Sequence, residues 1–284
     1  MNPHRPSLHA RIARRLLSGL VAAIACPAAT SLAADPPAPS VPGREKTAET
    51  RALEVAAKLL QRRTPVSEMN MVLNGFHPMK ERPAHQMEAH HFCHQLNEDF
   101  AQCVLFDGHD EHARLNGVEY IISESLFETL PEAERAYWHP HNGEILSGQL
   151  VAPGIPESAE TALMAKKMNS YGKTWHLWDT GHVGQAGDPL PFGAPMLAWS
   201  FNREGEPLPG LVAQRDRRLR IDSVEHKRAV RRKLLPLARP QSGVDALKGA
   251  IAHPGRKIPG VVDSAASAPR VANDSAGGRL SGME

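Results

Sequence analysis

The segment from Glu88 to Cys103 most constrains the fold of this 284-residue chain. Side chains on a β-strand point alternately to its two faces, and the residues from Met87 to Gln95 alternate in this way. One face of the predicted strand carries Glu88, His90, Phe92 and His94. The other face carries Ala89, His91 and Cys93. The segment therefore predicts a strand with imidazoles on both faces, one of which could line a pocket.

Patterns elsewhere favour an α+β fold. Apolar positions recur at helical spacing from Arg44 to Arg63, which predicts an amphipathic helix. A tight turn is predicted at Asn142-Gly143, since this pair favours short hairpin loops. Strands are predicted for Gly117 to Ser123, Glu144 to Ala152, Lys173 to Asp179 and Pro195 to Phe201, and a helix for Glu157 to Ser170. Because these elements lack regular βαβ alternation, we expect a single α+β domain with a mostly antiparallel sheet flanked by helices.

The N-terminus has the layout of a secretory signal. Several arginines precede an apolar run from Leu16 to Ala25, and small residues follow as far as Ala34. We expect a signal peptide over residues 1–34, a proline-rich linker over 35–43 and a periplasmic or secreted protein. One alternative is a lipid anchor at Cys26, whose preceding residues imperfectly resemble a lipobox. Another is a buried N-terminal helix.

The charges are divided unevenly along the chain. Residues 35–213 carry 14 basic and 24 acidic side chains, whereas residues 214–240 carry 10 basic and 3 acidic ones. We expect the folded domain to span residues 44–212, and residues 213–284 to form a tail that is first basic, then low in complexity and disordered. Such a tail would attract an anionic lipid or membrane surface, and nucleic acid is the least expected partner. A tail without function and homo-oligomerisation stay open.

Eleven of the fifteen histidines lie between His77 and His182. In an extended segment the rings of His139 and His141 point the same way, and Glu144 follows closely. If this segment neighbours the strand that carries His90 and His94, four imidazoles and a carboxylate converge. The candidate metal ligands are His90, His94, His139, His141, Glu144 and His176. Imidazole with carboxylate suits a divalent transition metal, namely zinc, iron, copper or nickel.

Structural roles are the alternative for each of these residues. The histidines would then hydrogen-bond to backbone or carboxylates within a polar sheet face. His91 is expected to be structural, and His176 between two tryptophans is either a ligand or a packed side chain. In an oxidising compartment Cys93 and Cys103 are candidates for a disulfide, with two separate half-buried thiols as the alternative. The sequence contains no P-loop, dinucleotide fingerprint, nucleophile elbow or HExxH motif.

Several motifs occur in order along the chain and resemble those of one family. They are His90-His91-Phe92-Cys93-His94-Gln95-Leu96-Asn97-Glu98-Asp99, Arg114-Leu115-Asn116-Gly117-Val118-Glu119-Tyr120, Trp138-His139-Pro140-His141 and Tyr171-Gly172-Lys173-Thr174-Trp175-His176. Over roughly residues 65 to 205 the chain closely resembles the oil body-associated protein family. The resemblance implies plant relatives on seed oil bodies and no established reaction. It also implies that the two cysteines need no disulfide throughout the family, since related proteins work in reducing cytosol.

This chain departs from the plant pattern in its export signal, its basic tail and its Asn142-Gly143 pair, where plant members have an acidic-aromatic pair. We therefore expect a binding protein with a histidine-rich pocket that holds a transition metal. The first alternative is a metal-dependent enzyme in which Glu144 or Glu119 acts as general base beside a metal-bound water. The second is a lipid-surface protein that uses the helix from Arg44 to Arg63 and the tail.

Overall fold

The computed structural model describes residues 42–61, 65–182, 185–221, 224–252 and 255–264. The predicted signal peptide with Cys26, residues 35–41 of the predicted linker and residues 265–284 of the predicted tail lie outside these ranges. Export and lipid attachment therefore stay predictions. Among the helices of the described ranges, none combines the length and the apolar character needed to cross a membrane.

One antiparallel sheet of seven strands forms the centre of the structure, in the order β1-β2-β3-β4-β6-β5, with β9 also paired to β6. Its strands are β1 (Met71–Met79), β2 (Arg82–Asn97), β3 (Phe100–Phe106), β4 (Leu115–Ile122), β5 (His139–Pro140), β6 (Tyr171–His176) and β9 (Met196–Leu197). Two small pairs complete the strands: β7 (Gly181–His182) with β8 (Gln185–Ala186), and β10 (Arg203–Glu204) with β11 (Arg256–Lys257). The predicted α+β class with a mostly antiparallel sheet is confirmed.

The sheet curls because one short segment bonds to both of its sides. β9 pairs with β6, and the next residue, Ala198, donates its backbone N–H to the carbonyl of Thr174. Ala198 also bridges to Met79 of β1, and the Trp199 N–H donates to the Pro78 carbonyl at 2.8 Å. Only two residues of the predicted strand from Pro195 to Phe201 thus form a strand. The next two residues, Ala198 and Trp199, connect the two sides of the sheet. The curl gives the sheet an enclosed inner face.

Helices and short helical turns surround the sheet. They are α1 (Ala48–Leu60), a 3₁₀ turn (Pro65–Glu68), α2 (Glu124–Glu128), α3 (Glu132–Arg135), α4 (Asn142–Ser147), α5 (Glu157–Lys167), α6 (Leu211–Leu219), α7 (Val224–Arg231) and a 3₁₀ helix (Arg232–Leu237). The predicted helices around α1 and α5 are present with shorter ends.

The segment after Asn142 is a helix, so the predicted tight turn and strand from Glu144 to Ala152 were wrong. Every residue of α4 is buried, and Ile145 and Leu146 pack in a core cluster with Leu73 of β1. Gly148 ends the helix in the left-handed conformation, with φ of 84°, which is the usual glycine stop signal. Because both faces of the helix are buried, its sequence lacks the periodic apolar pattern of an amphipathic helix. The Asn-Gly pair, which favours turns, was therefore misleading.

The predicted disordered tail is corrected for its described part. The amide of Gln241 bonds to the backbone of Asn142 and Ser170, and its side chain is fully buried. The Trp199 indole N–H donates to the Gly243 carbonyl at 2.9 Å. Val244, Leu247, Ile258 and Val261 are also buried. A few spaced apolar residues thus fix a segment whose overall composition is that of a disordered one.

Two arginines of the predicted basic tail are structural. Arg231 is 1% exposed, donates to the carbonyls of Ile145 and Leu150, and pairs with Glu160 at 3.2 Å. Arg215 is fully buried and donates to Asn74 and to the Gln149 carbonyl. A buried charge must be paired, and the paired carboxylates are Glu160 for Arg231 and Asp216, at 2.7 Å, for Arg215. Neither arginine is available to a lipid surface.

Candidate metal centre

The inner face of the curled sheet carries buried polar side chains. β1 contributes His77, β2 contributes His91, β4 contributes Glu119 and β6 contributes His176. The strand register places Leu73 opposite His91, and Gly117 opposite His176, so these residues occupy one face by the period of two. Each of the four is at most 3% exposed. The face therefore presents titratable groups where apolar side chains are usual.

Three more polar residues approach from the segment after β5. His139 lies in β5, opposite Gly172 of β6. His141 immediately precedes α4, and Glu144 lies in the first turn of that helix. All three are at most 4% exposed. We call the whole group the histidine cluster; its members are His77, His91, Glu119, His139, His141, Glu144 and His176.

Glu119 is the centre of the histidine cluster. Its Oε2 lies 2.7 Å from His91 Nε2, although the alignment is not that of a hydrogen bond. Its Oε1 lies 3.3 Å from His141 Nε2 and 3.8 Å from His139 Nε2. Burial disfavours the ionised carboxylate, but the neighbouring His91, His141 and His139 outweigh it and hold the pKa of Glu119 well below its usual range. The cluster is thus built around one carboxylate anion.

Glu144 has the opposite electrostatic environment. Burial and, after it, the proximity of Glu119 raise the pKa of Glu144 well above its usual range. It lines a small cavity together with His77, His91, Glu119 and His141. Two carboxyl groups therefore face one enclosed space, with one ionised and the other favoured in its protonated form.

The tautomer of His77 follows from a chain of hydrogen bonds. The Nδ1 of His176 lies 3.3 Å from the Asn116 carbonyl, which can only accept, so Nδ1 carries the proton. Burial lowers the pKa of His176 to about 4, so its ring is neutral and Nε2 is an acceptor. This Nε2 lies 3.0 Å from His77 Nδ1, which must donate. His77, whose pKa burial also lowers well below the usual range, thus presents an Nε2 lone pair.

A second chain fixes His141 in the same way. The Ser170 hydroxyl donates its one proton to the Lys167 carbonyl at 2.8 Å, so its oxygen accepts from His141 Nδ1 at 2.8 Å. His141 Nε2 lies 3.3 Å from Glu119 Oε1: it donates a hydrogen bond to the carboxylate when the ring is protonated, and it presents a lone pair when the ring is neutral. Two acceptors at this distance repel unless a proton or a cation lies between them. Oriented imidazoles of this kind are typical of metal ligands.

Other nitrogens of the cluster lack hydrogen bonds. Neither ring nitrogen of His139 has a partner among the described residues, and the same holds for His91 Nδ1. His139 is fully buried, and burial followed by His141 lowers its pKa to about 3. Leaving a buried polar atom unpaired costs on the order of 1–3 kcal/mol, so unpaired atoms in a folded protein call for an explanation.

The backbone leaves room around Glu119. A Cβ atom at Gly172 would lie 2.3 Å from Glu119 Oε1 and 2.6 Å from His141 Nε2. Any other residue at position 172 would therefore fill the space where the carboxylate and the imidazole meet.

Two overlapping sets of residues in the described chain have the spacing to hold a metal ion. The first triad is His77, His91 and Glu119, and the second triad is Glu119, His139 and His141. In each triad the donor atoms lie within 4.8 Å of one another. Nitrogen donors with one carboxylate are the donor set of zinc and other divalent transition metals. The residues present therefore fit such an ion.

The structure separates the ligands predicted from sequence into three groups. His139, His141 and Glu144 belong to the cluster. His176 also belongs to it, but both of its nitrogens are engaged in supporting His77. His90 and His94 do not meet the other candidates, because the period of two sends them to the outer face, where His90 Nε2 contacts Glu88 at 3.0 Å. The predicted convergence of the His90 and His94 pair with His139 and His141 is corrected.

Two histidines that the structure brings together, His77 and His91, were not among the predicted ligands, and His91 was expected to be structural. His91 alternates with the small residues Ala89 and Cys93, and this apolar face was the available signal that His91 points inward. His77 alternates with Leu73, Gly75 and Met79, which marks the inner face of β1 in the same way. These residues reach Glu119 through strand pairing, and strand pairing leaves no signal in the local sequence.

Cys93 and Cys103 pair directly across β2 and β3, and the structure joins them in a disulfide. The bond lies on the inner face, and Cys103 is the register partner of Glu119. A covalent link thus connects the strands next to the cluster.

The buried histidines make the stability of the metal-free protein depend on pH. A histidine whose pKa is lowered in the folded state stabilises the fold at pH values above its ordinary pKa of 6.5. This stabilisation is lost as the pH falls. His77, His139 and His176 act in this direction. Glu144 acts oppositely, because its raised pKa lets the folded state keep a proton that the unfolded state releases. Between pH 6.5 and 5 the unfolded chain thus binds a net excess of about two protons.

We therefore expect the chelator-treated protein to lose about 3 kcal/mol of unfolding free energy per pH unit in this window. Urea unfolding at pH 7, 6 and 5 measures the loss. In the His139→Asn variant the dependence of the unfolding free energy on pH should weaken by about 1.4 kcal/mol per pH unit, because one titrating histidine is removed. A wild-type stability that stays constant from pH 7 to 5 would contradict neutral, buried histidines.

Known proteins that are similar to this chain belong to the family that the motifs indicate. A family model described as "Protein of unknown function (DUF1264)" matches residues 63–235. Oil body-associated protein 1B of Arabidopsis thaliana is 38% identical over 192 residues, which cover 67% of this chain and 77% of the relative. Oil body-associated protein 1A of Zea mays is 42% identical over 166 residues, covering 58% and 68%. No solved structure was found to match. The chain belongs to the oil body-associated protein family.

Proposed function

We propose that this domain is a metal-binding protein that holds a divalent transition metal ion at Glu119. The ligands would be Glu119 and the histidines of the two triads. His176 and Ser170 would orient two of the ligands without contacting the ion. Zinc, iron, copper and nickel all suit this donor set. The ion would supply positive charge to a buried group of lone pairs and carboxylate oxygens.

The spacing of His141 Nε2 and Glu119 Oε1 carries this proposal. Two ligands that bind one tetrahedral zinc ion at 2.0–2.1 Å lie about 3.3 Å apart. His141 Nε2 and Glu119 Oε1 are 3.3 Å apart, and the Ser170 contact holds the ring in this orientation. An ion between these two atoms would replace their hydrogen bond with two coordination bonds. The unpartnered nitrogens of His139 and His91 support the same interpretation.

The approach to the cluster supports exchange of the ion with solvent. Lys167 borders the small cavity of the cluster and also lines a polar surface cleft. Ser170, which contacts His141, lines the same cleft. Lys167 and Ser170 thus lie between the cluster and this cleft.

We expect the protein purified from metal-replete medium to contain at least one equivalent of transition metal, and the His139→Ala and His141→Ala variants to bind it at least about tenfold more weakly. Each substitution removes a nitrogen donor. Elemental analysis by mass spectrometry and competition with a chromophoric chelator measure both quantities.

The matched control is His94→Ala. His94 was predicted as a ligand from sequence but lies on the outer face of the same strand as His91, so its loss should leave the metal content unchanged. Metal-free wild-type protein, or equal losses in His94→Ala and His141→Ala, would overturn the proposal.

Binding to a lipid surface is a second candidate function, and helix α1 favours it. None of the residues of α1 is buried, and Leu53, Val55, Leu59 and Leu60 are 58–83% exposed. An amphipathic helix with a free apolar face suits the boundary between lipid headgroups and acyl chains. The relatives are named for association with oil bodies. However, α1 precedes the residues that match the family model, so this helix would act as an addition to the family domain.

Flotation with vesicles of phosphatidylcholine and phosphatidylglycerol tests this candidate. The double variant Leu53→Asp/Leu59→Asp should bind at least about tenfold more weakly, since two apolar side chains no longer enter the membrane. The control Phe192→Asp changes a side chain that is 59% exposed elsewhere on the surface. Unchanged flotation of the double variant would exclude α1 as the lipid-binding element.

A further inference from the structure

We propose that the histidine cluster is a dinuclear centre, in which Glu119 bridges two divalent transition metal ions. The inference rests on the proposed function and adds the number of ions, their assignment to ligands and the role of the bridging carboxylate. One ion would occupy the first triad, His77, His91 and Glu119. The other would occupy the second triad, Glu119, His139 and His141.

The position of Glu119 between the triads is the first observation. Its two carboxylate oxygens face different histidines. Oε2 lies 2.7 Å from His91 Nε2, whereas Oε1 lies 3.3 Å from His141 Nε2 and 3.8 Å from His139 Nε2. A carboxylate that gives one oxygen to each of two ions is the usual bridge when the ions are about 3.5–4 Å apart. Glu119 is the residue common to the two triads.

Independent orientation of each triad is the second observation. In the first triad His77 is fixed by His176, which is fixed in turn by the Asn116 carbonyl. In the second triad His141 is fixed by Ser170, which donates to the Lys167 carbonyl. The two chains belong to different parts of the backbone and leave one Nε2 lone pair on each side of Glu119. Each triad thus has a histidine with its own support, as two separate ions would require.

The number of donors is the third observation. Four histidines and Glu119 exceed the four ligands of a tetrahedral ion. Two ions that share Glu119 would each have three protein ligands, which leaves coordination positions for a small oxygen ligand such as water. The small cavity lined by His77 and His91 of the first triad and His141 of the second is where such a ligand would lie.

Glu144 supplies the polar group that such a ligand needs. It lines the same cavity and is 3% exposed, and it belongs to neither triad. A carboxyl group beside the space between two ions can hydrogen-bond to a bridging water or coordinate an ion itself.

Stoichiometry tests the proposal on the full protein. After removal of metal with chelator, titration with Co²⁺ or Zn²⁺ should show two equivalents bound per chain. The His77→Asn variant should bind one equivalent through the second triad, and His141→Asn should bind one through the first. The matched control His94→Ala should bind two, and circular dichroism checks that each variant is folded.

A measurement on the wild-type protein avoids dependence on the variants. When loaded with two equivalents of Cu²⁺, a bridged pair should give an electron paramagnetic resonance signal well below that of two independent spins, with dipolar or exchange splitting. One bound equivalent that is lost in either variant would overturn the dinuclear centre and leave the proposed function standing. No bound metal under any loading condition would overturn the proposed function itself.

Discussion

The ionised carboxylate of Glu119, surrounded by histidines inside a curled sheet, is the interaction on which the rest of the structure depends. Isolation of such a charge in the interior costs several kcal/mol, and the cost is offset only by close partners of opposite charge or by donors. Imidazoles from β2, β5 and the start of α4 lie beside the carboxylate, and that of His141 is hydrogen-bonded to its Oε1. The sheet thus has a polar, electrostatically strained centre where most sheets have apolar packing.

The elements around Glu119 serve to hold that centre. The segment at Ala198 and Trp199 binds the two sides of the sheet together, and Gly172 leaves the space in which the carboxylate and the imidazoles meet. Gln241, from the C-terminal segment, bonds to the backbone at Asn142 and Ser170, next to the residues that position His141. The segment that contains Gln241 therefore contributes to the geometry of the site.

Part of this arrangement could be predicted from sequence. Alternation in the segment from Met87 to Gln95 gave the strand and its two faces, and the spacing of His139 and His141 marked one side of the site. The face that points inward was assigned wrongly, since His90 and His94 carry as much polar chemistry as His91. Partners distant in sequence, such as His77 and Glu119, depend on strand register, which the local pattern does not encode.

The helix at Asn142 and the ordered C-terminal segment could not be predicted for a related reason. A short helix buried on all sides has no amphipathic period, and tertiary packing overrides the turn preference of Asn-Gly. Residues 241–252 and 255–264 have the composition of a disordered chain, but a few spaced contacts such as those of Gln241 and Val244 fix them to the domain. In both regions long-range contacts decide the structure.

The most direct test of the account is the thermal stability of wild type and Glu119→Gln with and without zinc. A ligand that binds the folded state raises the midpoint of unfolding by mass action. Zinc should raise the midpoint of the wild type by several degrees and leave that of Glu119→Gln nearly unchanged, because the amide removes the charge that both triads share. An equal rise in both proteins would contradict the central role of Glu119.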